Sequence, residues 1–178
     1  MQRLDDVFIV PAGPGDALAL AEVHVRAWRE TYAGLLPAAY LARMEARLHA
    51  RRWRSQLTAA HAGDVVLAAE GRAGLVGYAA GRLVEGAAIA EVFTLYVVRD
   101  AQRKGLGRRL LGACARALAD QGAGGLQLWV LDGNVSARAF YAHLGGVRVD
   151  GRPVRGWGGD LTESAYRWDE IRALTRGA

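Results

Sequence analysis

The chain contains a single cysteine, Cys114, so no disulfide can form within it, which fits a reducing cytoplasm. Cys114 falls on the apolar stripe of a helical pattern and reads as a packed side chain, not a catalytic thiol. The four histidines show no metal-ligand spacing with it, and no metal is expected. Long apolar runs are also missing. Hydrophobic residues make up 52% of the chain, yet none of the runs approaches the ~18 residues of a membrane span. Met1 to Asp6 lacks the charged-then-apolar order of a secretory signal. There are no internal repeats, low-complexity tracts or interdomain linkers, so 178 residues are expected to form a single domain over 1–178.

Lysine is as scarce as cysteine. Lys104 stands alone among 23 basic residues, and the formal net charge is +5. The arginine excess suggests GC-rich coding. A basic chain suits either nucleic acid or a ligand with several phosphates. No helix-turn-helix, zinc-finger or aromatic RNA-binding signature is present. Arg43, Arg47, Arg51 and Arg54 read as the solvated face of a helix, so nucleic acid is not the expected partner. Two phosphate-binding signatures are absent as well. There is no G-x-x-x-x-G-K-[ST], and Leu110 stands where a dinucleotide fingerprint needs its third glycine.

What is present is a junction. Ile89-Ala90-Glu91-Val92-Phe93-Thr94-Leu95-Tyr96-Val97-Val98 is rich in β-branched and aromatic residues and predicts a strand. Gln102-Arg103-Lys104-Gly105-Leu106-Gly107 follows. Beyond it Leu106, Leu110, Leu111, Cys114 and Leu118 share one face of a helix. Glycines at a strand–helix turn let backbone approach a ligand, and the free first N–H groups of a helix favour phosphate. Further on, Leu126–Leu131 predicts another strand. It leads through Asp132-Gly133 into Asn134-Val135-Ser136-Ala137-Arg138-Ala139-Phe140-Tyr141-Ala142-His143-Leu144-Gly145-Gly146.

The first stretch, Q-x-x-G-x-G after a hydrophobic strand, resembles the pyrophosphate-binding motif of the GNAT N-acetyltransferase superfamily. The second, N-x-x-A-x-x-F-Y-x-x-L-G-[FG], resembles that family's other signature. The remaining pattern fits in order: a strand at Val7–Val10, then a helix from an Asp16 cap to about Tyr32. A helical stretch follows from Ala38 to about Leu57, then strands Val65–Glu70 and Gly74–Leu83. A closing pair is expected at Val147–Asp150 and Leu161–Trp168, with residues 151–159 a flexible loop between them. The resemblance implies an α/β (α+β) fold. Its mixed, mostly antiparallel sheet has splayed, parallel fourth and fifth strands and about four flanking helices.

The resemblance also implies roles. Acetyl-CoA is the expected co-substrate, with an amine as acceptor attacking directly, without an acyl-enzyme. Backbone of Leu95, Tyr96 and Val97 would meet the thioester and pantetheine, because free backbone groups inside a sheet need a partner. Gln102, Arg103, Lys104, Gly105, Leu106, Gly107 and Arg108 would hold the pyrophosphate. Asn134 would cap its helix and bond the pantetheine arm. Tyr141 matches the position that protonates the departing thiolate; a phenol with pKa near ~10 keeps its proton at neutral pH. The other reading of Tyr141 is helix packing beside Phe140 and Leu144.

Glu91 lies eleven residues before Gln102, where the histone-acetyltransferase branch of the superfamily places its catalytic base. A partly apolar strand would raise its carboxyl pKa. A strand-end glutamate paired with an arginine, ordered water, and His24 as base all stay open. His24 itself shares a helix face with Ala17, Leu20, Ala21 and Trp28, which predicts a buried, hydrogen-bonded residue. Trp28, Tyr32 and Leu35 resemble the family's substrate-side lid, in an opening that recurs among small bacterial members. The implied activity is acetylation of a small-molecule primary amine. A protein or peptide N-α-acetyltransferase and a non-catalytic acyl-CoA-sensing module are the alternatives. The resemblance leaves a homodimer open.

Overall fold

The computed structural model describes residues 6–156 and 160–176. Trp157-Gly158-Gly159 of the expected loop, and residues 1–5 at the amino end, lie outside them. Seven strands form one sheet: β1 (Phe8–Pro11), β2 (Asp64–Gly71), β3 (Gly74–Arg82), β4 (Ile89–Val97), β5 (Gly125–Leu131), β6 (Val147–Pro153) and β7 (Thr162–Trp168). The spatial order is β1-β2-β3-β4-β5-β7-β6. Every neighbouring pair is antiparallel except β4 and β5, which are parallel. Five helices flank it: α1 (Ala17–Tyr32), α2 (Ala38–Ala42), α3 (Ala46–Thr58), α4 (Leu106–Asp120) and α5 (Val135–His143).

The alanine-rich centre of β3 lies between two helical layers. Ala79 belongs to the core built by Leu106, Leu110, Leu111, Cys114 and Leu118 of α4. Tyr78 and Ala80 belong to the opposite core, with Leu20, Ala21 and Val23 of α1 and Ala50 and Trp53 of α3. A strand covered on both faces has no solvent side, so it carries small and apolar residues without alternation. Leu110, Leu111 and Leu118 are wholly buried, each contributing roughly 1.5–3 kcal/mol through burial.

Two features of β4 shape the middle of the sheet. Its pairing with β5 covers only Ile89–Glu91 against Gly125–Gln127. Beyond Glu91, β4 stays with β3 up to Val97 while β5 stays with β7 up to Leu131. The two parallel strands therefore part, leaving a wedge-shaped opening. In addition, Ala80 faces Thr94 while Gly81 faces Val92, so Phe93 is the extra residue of a bulge, which bends the strand beside the opening.

Several expectations needed correction. The helical stretch expected over residues 38–57 is two helices. Arg29 of α1 donates to the carbonyls of Leu41, Ala42 and Met44 at 3.1, 3.3 and 2.9 Å. These acceptors are then satisfied outside the α2 ladder, and the chain turns before α3 starts. Asp16 does not cap α1 through its side chain. Its carboxylate accepts from Gly13 N–H at 2.8 Å within a 3₁₀ turn, Pro14–Asp16. Gly151 to Pro153 are not loop but the end of β6, paired with Ser164, Glu163 and Thr162. As an edge strand, β6 tolerates Pro153. A 3₁₀ segment, Ile171–Thr175, closes the chain with Ile171 and Leu174 buried in the α4 core. No helix among the described residues is long and apolar enough to cross a membrane.

Candidate active site

The turn after β4 combines two left-handed residues with a helix start. Arg103 has φ 59° and Gly105, immediately before α4, has φ 84°. A left-handed conformation is cheap only for glycine, so the second is the position a side chain would strain. Left-handed turns of this kind can gather N–H groups into an anion-binding concavity, and the first amides of α4 add the positive end of its dipole. Gln102 Nε2 donates to the Val97 carbonyl at 2.8 Å, tying the turn to the end of β4. Lys104 donates to Asp100 O at 2.7 Å and Arg108 to Arg176 O at 3.3 Å, while Arg103 is exposed. The sequence-based reading gave Gly107 to ligand approach. A Cβ there would meet the Phe140 ring at 3.4 Å, so this glycine also sets the contact between α4 and α5.

A brace that sequence reasoning missed holds the turn against α1. Glu30 accepts from Arg99 N–H at 2.7 Å, and Arg99 in turn donates to the Glu30 carbonyl at 2.7 Å. Arg26 bridges Glu30 at 2.9 Å and Asp100 at 2.6 Å. The i,i+4 spacing of Arg26 and Glu30 was visible in the sequence; the partners 69 or more residues away were not.

Leu95, Tyr96 and Val97 line the β4 side of the opening. They pair with Ala79, Tyr78 and Gly77 on the β3 side, and no strand ladder continues toward β5 beyond Glu91. Leu95 and Val97 pack into the α4 core, whereas Tyr96 turns to the α1 side. There Tyr96 meets Tyr32, with the two hydroxyls 2.9 Å apart.

From the other layer comes Tyr141, 8% exposed, packed among Phe140, Tyr166 and Trp168. Burial pushes its phenol pKa up, and the neighbouring Tyr32 adds to the rise. Burial and then the charge of Tyr32 likewise raise Tyr96. Tyr32 and Tyr141 belong to clusters on opposite faces of the sheet, and the charge of Tyr32 acts on the Tyr141 phenol. The opening thus brings together three of the residues singled out from sequence: Tyr32, Tyr96 and Tyr141.

Glu91 stands where the strands part, facing Arg82 and Gln127 in register. It is exposed, not set among apolar groups as the sequence reading expected. Among the described residues it forms no ion pair with an arginine; its register neighbour Arg82 bonds Asp64, and Arg167 bonds Gln127. At about 3.3 Å per residue, Glu91 lies roughly 13 Å along β4 from Leu95. His24 has its Nδ1 2.6 Å from the Tyr78 hydroxyl and its ring 4.8 Å from that of His49. Burial, then the charge of His49, lower its pKa to about 4, so it is neutral at pH 7. Tyr78, Tyr96 and His49 complete an aromatic cluster under α1 that the sequence did not reveal.

Asn134 caps α5, its Oδ1 accepting from Ala137 N–H at 3.2 Å. The preceding turn is held by a network that no motif indicated. Asp132 accepts from the hydroxyls of Thr162 and the fully buried Ser164, whose oxygen also accepts from Arg148 at 2.8 Å. These hydroxyl bonds hold the Asp132 carboxyl below its usual range. On the α1 side, Leu35 lies on Gly133: a Cβ there would come within 2.7 Å of Leu35 Cδ2. Trp28 and Tyr32 pack against a cluster of Leu36, Leu41, Met44 and Leu131, with Val154 and Leu161 beside them. Among the described residues no three of His, Cys, Asp or Glu gather as a metal site would require.

The fold has close counterparts. A Thermoplasma acidophilum PaiA N-acetyltransferase, crystallised with coenzyme A, superposes with a TM-score of 0.76 at 20% identity, over 91% of this chain and 99% of that one. YncA from Salmonella typhimurium, solved with acetyl-CoA, gives 0.70 at 20% identity over 93% and 94%. A ribosomal-protein-alanine N-acetyltransferase from Brucella melitensis gives 0.70 at 21% identity over 90% and 98%. In sequence, the uncharacterized N-acetyltransferase YuaI of Bacillus subtilis is 28% identical over 162 residues, 89% of this chain and 91% of its own. The sequence model of the acetyltransferase (GNAT) family matches residues 23–146. The chain belongs to the acetyltransferase (GNAT) family and is an acyltransferase enzyme.

Proposed function

We propose that this enzyme transfers the acetyl group of acetyl-CoA to the primary amine of a small molecule, by direct attack and within a single domain over 1–178. The observation that carries the reading is the opening between β4 and β5, with Tyr96 and Tyr32 on one side and buried Tyr141 on the other. The left-handed turn at Arg103–Gly105 and the start of α4 suit a pyrophosphate. The β5-facing edge of Leu95–Val97, which has no strand partner beyond Glu91, suits an extended pantetheine arm, in the manner of strand addition.

The chemistry follows from those groups. The amine nitrogen forms a bond to the thioester carbon while the carbon–sulfur bond breaks. Backbone N–H groups of β4 facing the opening stabilise charge on the carbonyl oxygen. Tyr141, whose raised pKa keeps it a phenol, gives its proton to the leaving sulfur. The nitrogen sheds one proton through water, with exposed Glu91 at the root of the opening as its acceptor, and Tyr141 recovers one. Neutral amine and thioester become amide and thiol with protons balanced.

Packing on the acceptor side supports a small amine. Leu35 packs on Gly133, and Leu36, Leu131 and Leu161 share one cluster, on the face where a peptide would need a groove. A peptide α-amine is the second reading, favoured by the likeness in fold to the Brucella enzyme. A coupled assay of thiol release across amines, amino acids, polyamines, aminoglycosides and short peptides tests both. Turnover of small amines supports the proposal, turnover of peptides alone supports the second reading, and acetyl-CoA binding with no release under any acceptor makes the chain a sensor.

A further inference from the structure

The acceptor face of the sheet carries an arginine set in place by two neighbours. Arg152 of β6 lies with its guanidinium carbon 3.8 Å over the Trp129 ring. Its Nε donates to Glu163 of β7 at 2.6 Å. The ring contact and the bridge together hold the guanidinium, whose side chain is 55% exposed. The Nη1–Nη2 edge makes no hydrogen bond to any described residue. A planar fork restrained in this way, with two donors free, matches an oxyanion in bidentate geometry.

Register puts this arginine on the side the acceptor must use. Arg152 is opposite Glu163, Glu163 is opposite Leu131, and Ala165 is opposite Trp129. Cross-strand partners share a face, and Leu131 of that face packs with Tyr32 and Trp28 of α1. Glu163 is near enough to Tyr32 for its charge to act on that phenol. Tyr96 and Tyr32 at the β4–β5 opening and, beyond Leu131, Glu163 and Arg152 therefore lie on one face of the sheet. A cation is disfavoured at the Trp129 face, which Arg152 already covers.

Resting on the acetyl-transfer reading above, we infer that the acceptor is an amine that also carries an oxyanion, a carboxylate or a phosphonate, held by the free edge of Arg152. Glu163 and Trp129 act as positioning residues for that arginine. A site built to pair a charged group discriminates strongly against a substrate lacking it.

The test compares paired acceptors with the same side chain: free amino acids, their carboxamides, and aminoalkyl phosphonates, alongside plain amines and polyamines. Initial thiol release is measured with the full chain and acetyl-CoA. The acids or phosphonates should exceed the amides or plain amines by about tenfold or more in kcat/KM. Arg152→Ala should bring the acid-to-amide ratio close to one, and Arg152→Lys, which keeps charge but loses the fork, should restore part of it. Equal rates for acids and amides, a preference for polyamines, or an Arg152→Ala variant that keeps the ratio would each overturn the inference while leaving acetyl transfer intact. No release with any acceptor would instead remove the acetyl-transfer reading, and this inference with it.

Discussion

Mild acid should destabilise this protein through His24. In the folded chain burial, and secondarily His49, hold its pKa at about 4 instead of 6.5. Phenols of Tyr78 and Tyr96 and the Trp28 ring face it from β3, β4 and α1, and Arg52 adds positive charge near His49. As pH falls below about 6.5 the unfolded chain takes up a proton that the native state refuses, so stability declines until about pH 4 and then levels. Well above pH 6.5 both states are neutral and the residue contributes no pH dependence. Between pH 7 and pH 5 the loss assignable to His24 is about 2 kcal/mol, worked from the two pKa values. Asp64 and Asp132 have lowered pKa values, so their stabilisation is lost only below the ordinary carboxylate range, outside this window. Urea unfolding at the two pH values measures the change, about 2 kcal/mol being roughly 1 M in midpoint. His24→Gln lowers stability at both pH values but should lose about 2 kcal/mol less on acidification. An unchanged pH slope in that variant would refute a buried, neutral His24.

Two further predictions concern the chemistry. Tyr141→Phe removes the proton donor and little volume, so turnover should fall by ~10²-fold or more with acetyl-CoA affinity retained by calorimetry; equal losses in both would make Tyr141 a binding residue. Glu91→Gln should bind acetyl-CoA normally, turn over slowly near neutral pH and recover as pH nears the acceptor's own pKa, whereas a rate profile like that of the parent enzyme would leave water or His24 as base.

Local patterns made part of this molecule readable. The leucine stripe of α4, the hydrophobic run of β4 and the cap at Asn134 each depend on residues within a few positions, and both motifs are contiguous. What escaped was set at a distance. The break between α2 and α3 is held by Arg29, twelve to fifteen residues upstream. β6 runs to Pro153 because β7 pairs with it, although Gly151-Arg152-Pro153 has turn composition. Bulges at Phe93 and between Arg148 and Asp150 shift side-chain parity, and a shift of one residue reverses which face a side chain occupies. That is why Glu91 is exposed and why Arg152 meets Trp129 and Glu163, juxtapositions that need the register of three strands. The phenols of Tyr32, Tyr96 and Tyr141 come together only once the sheet has parted.

Hydrogen exchange of the backbone amides, with and without acetyl-CoA, tests the central claim most directly. The account predicts slowed exchange on binding at Leu95–Val97 and at Arg103–Arg108, with little change along β1, β2 and β6. Binding that leaves both segments unprotected, or that protects a different part of the sheet, would contradict it.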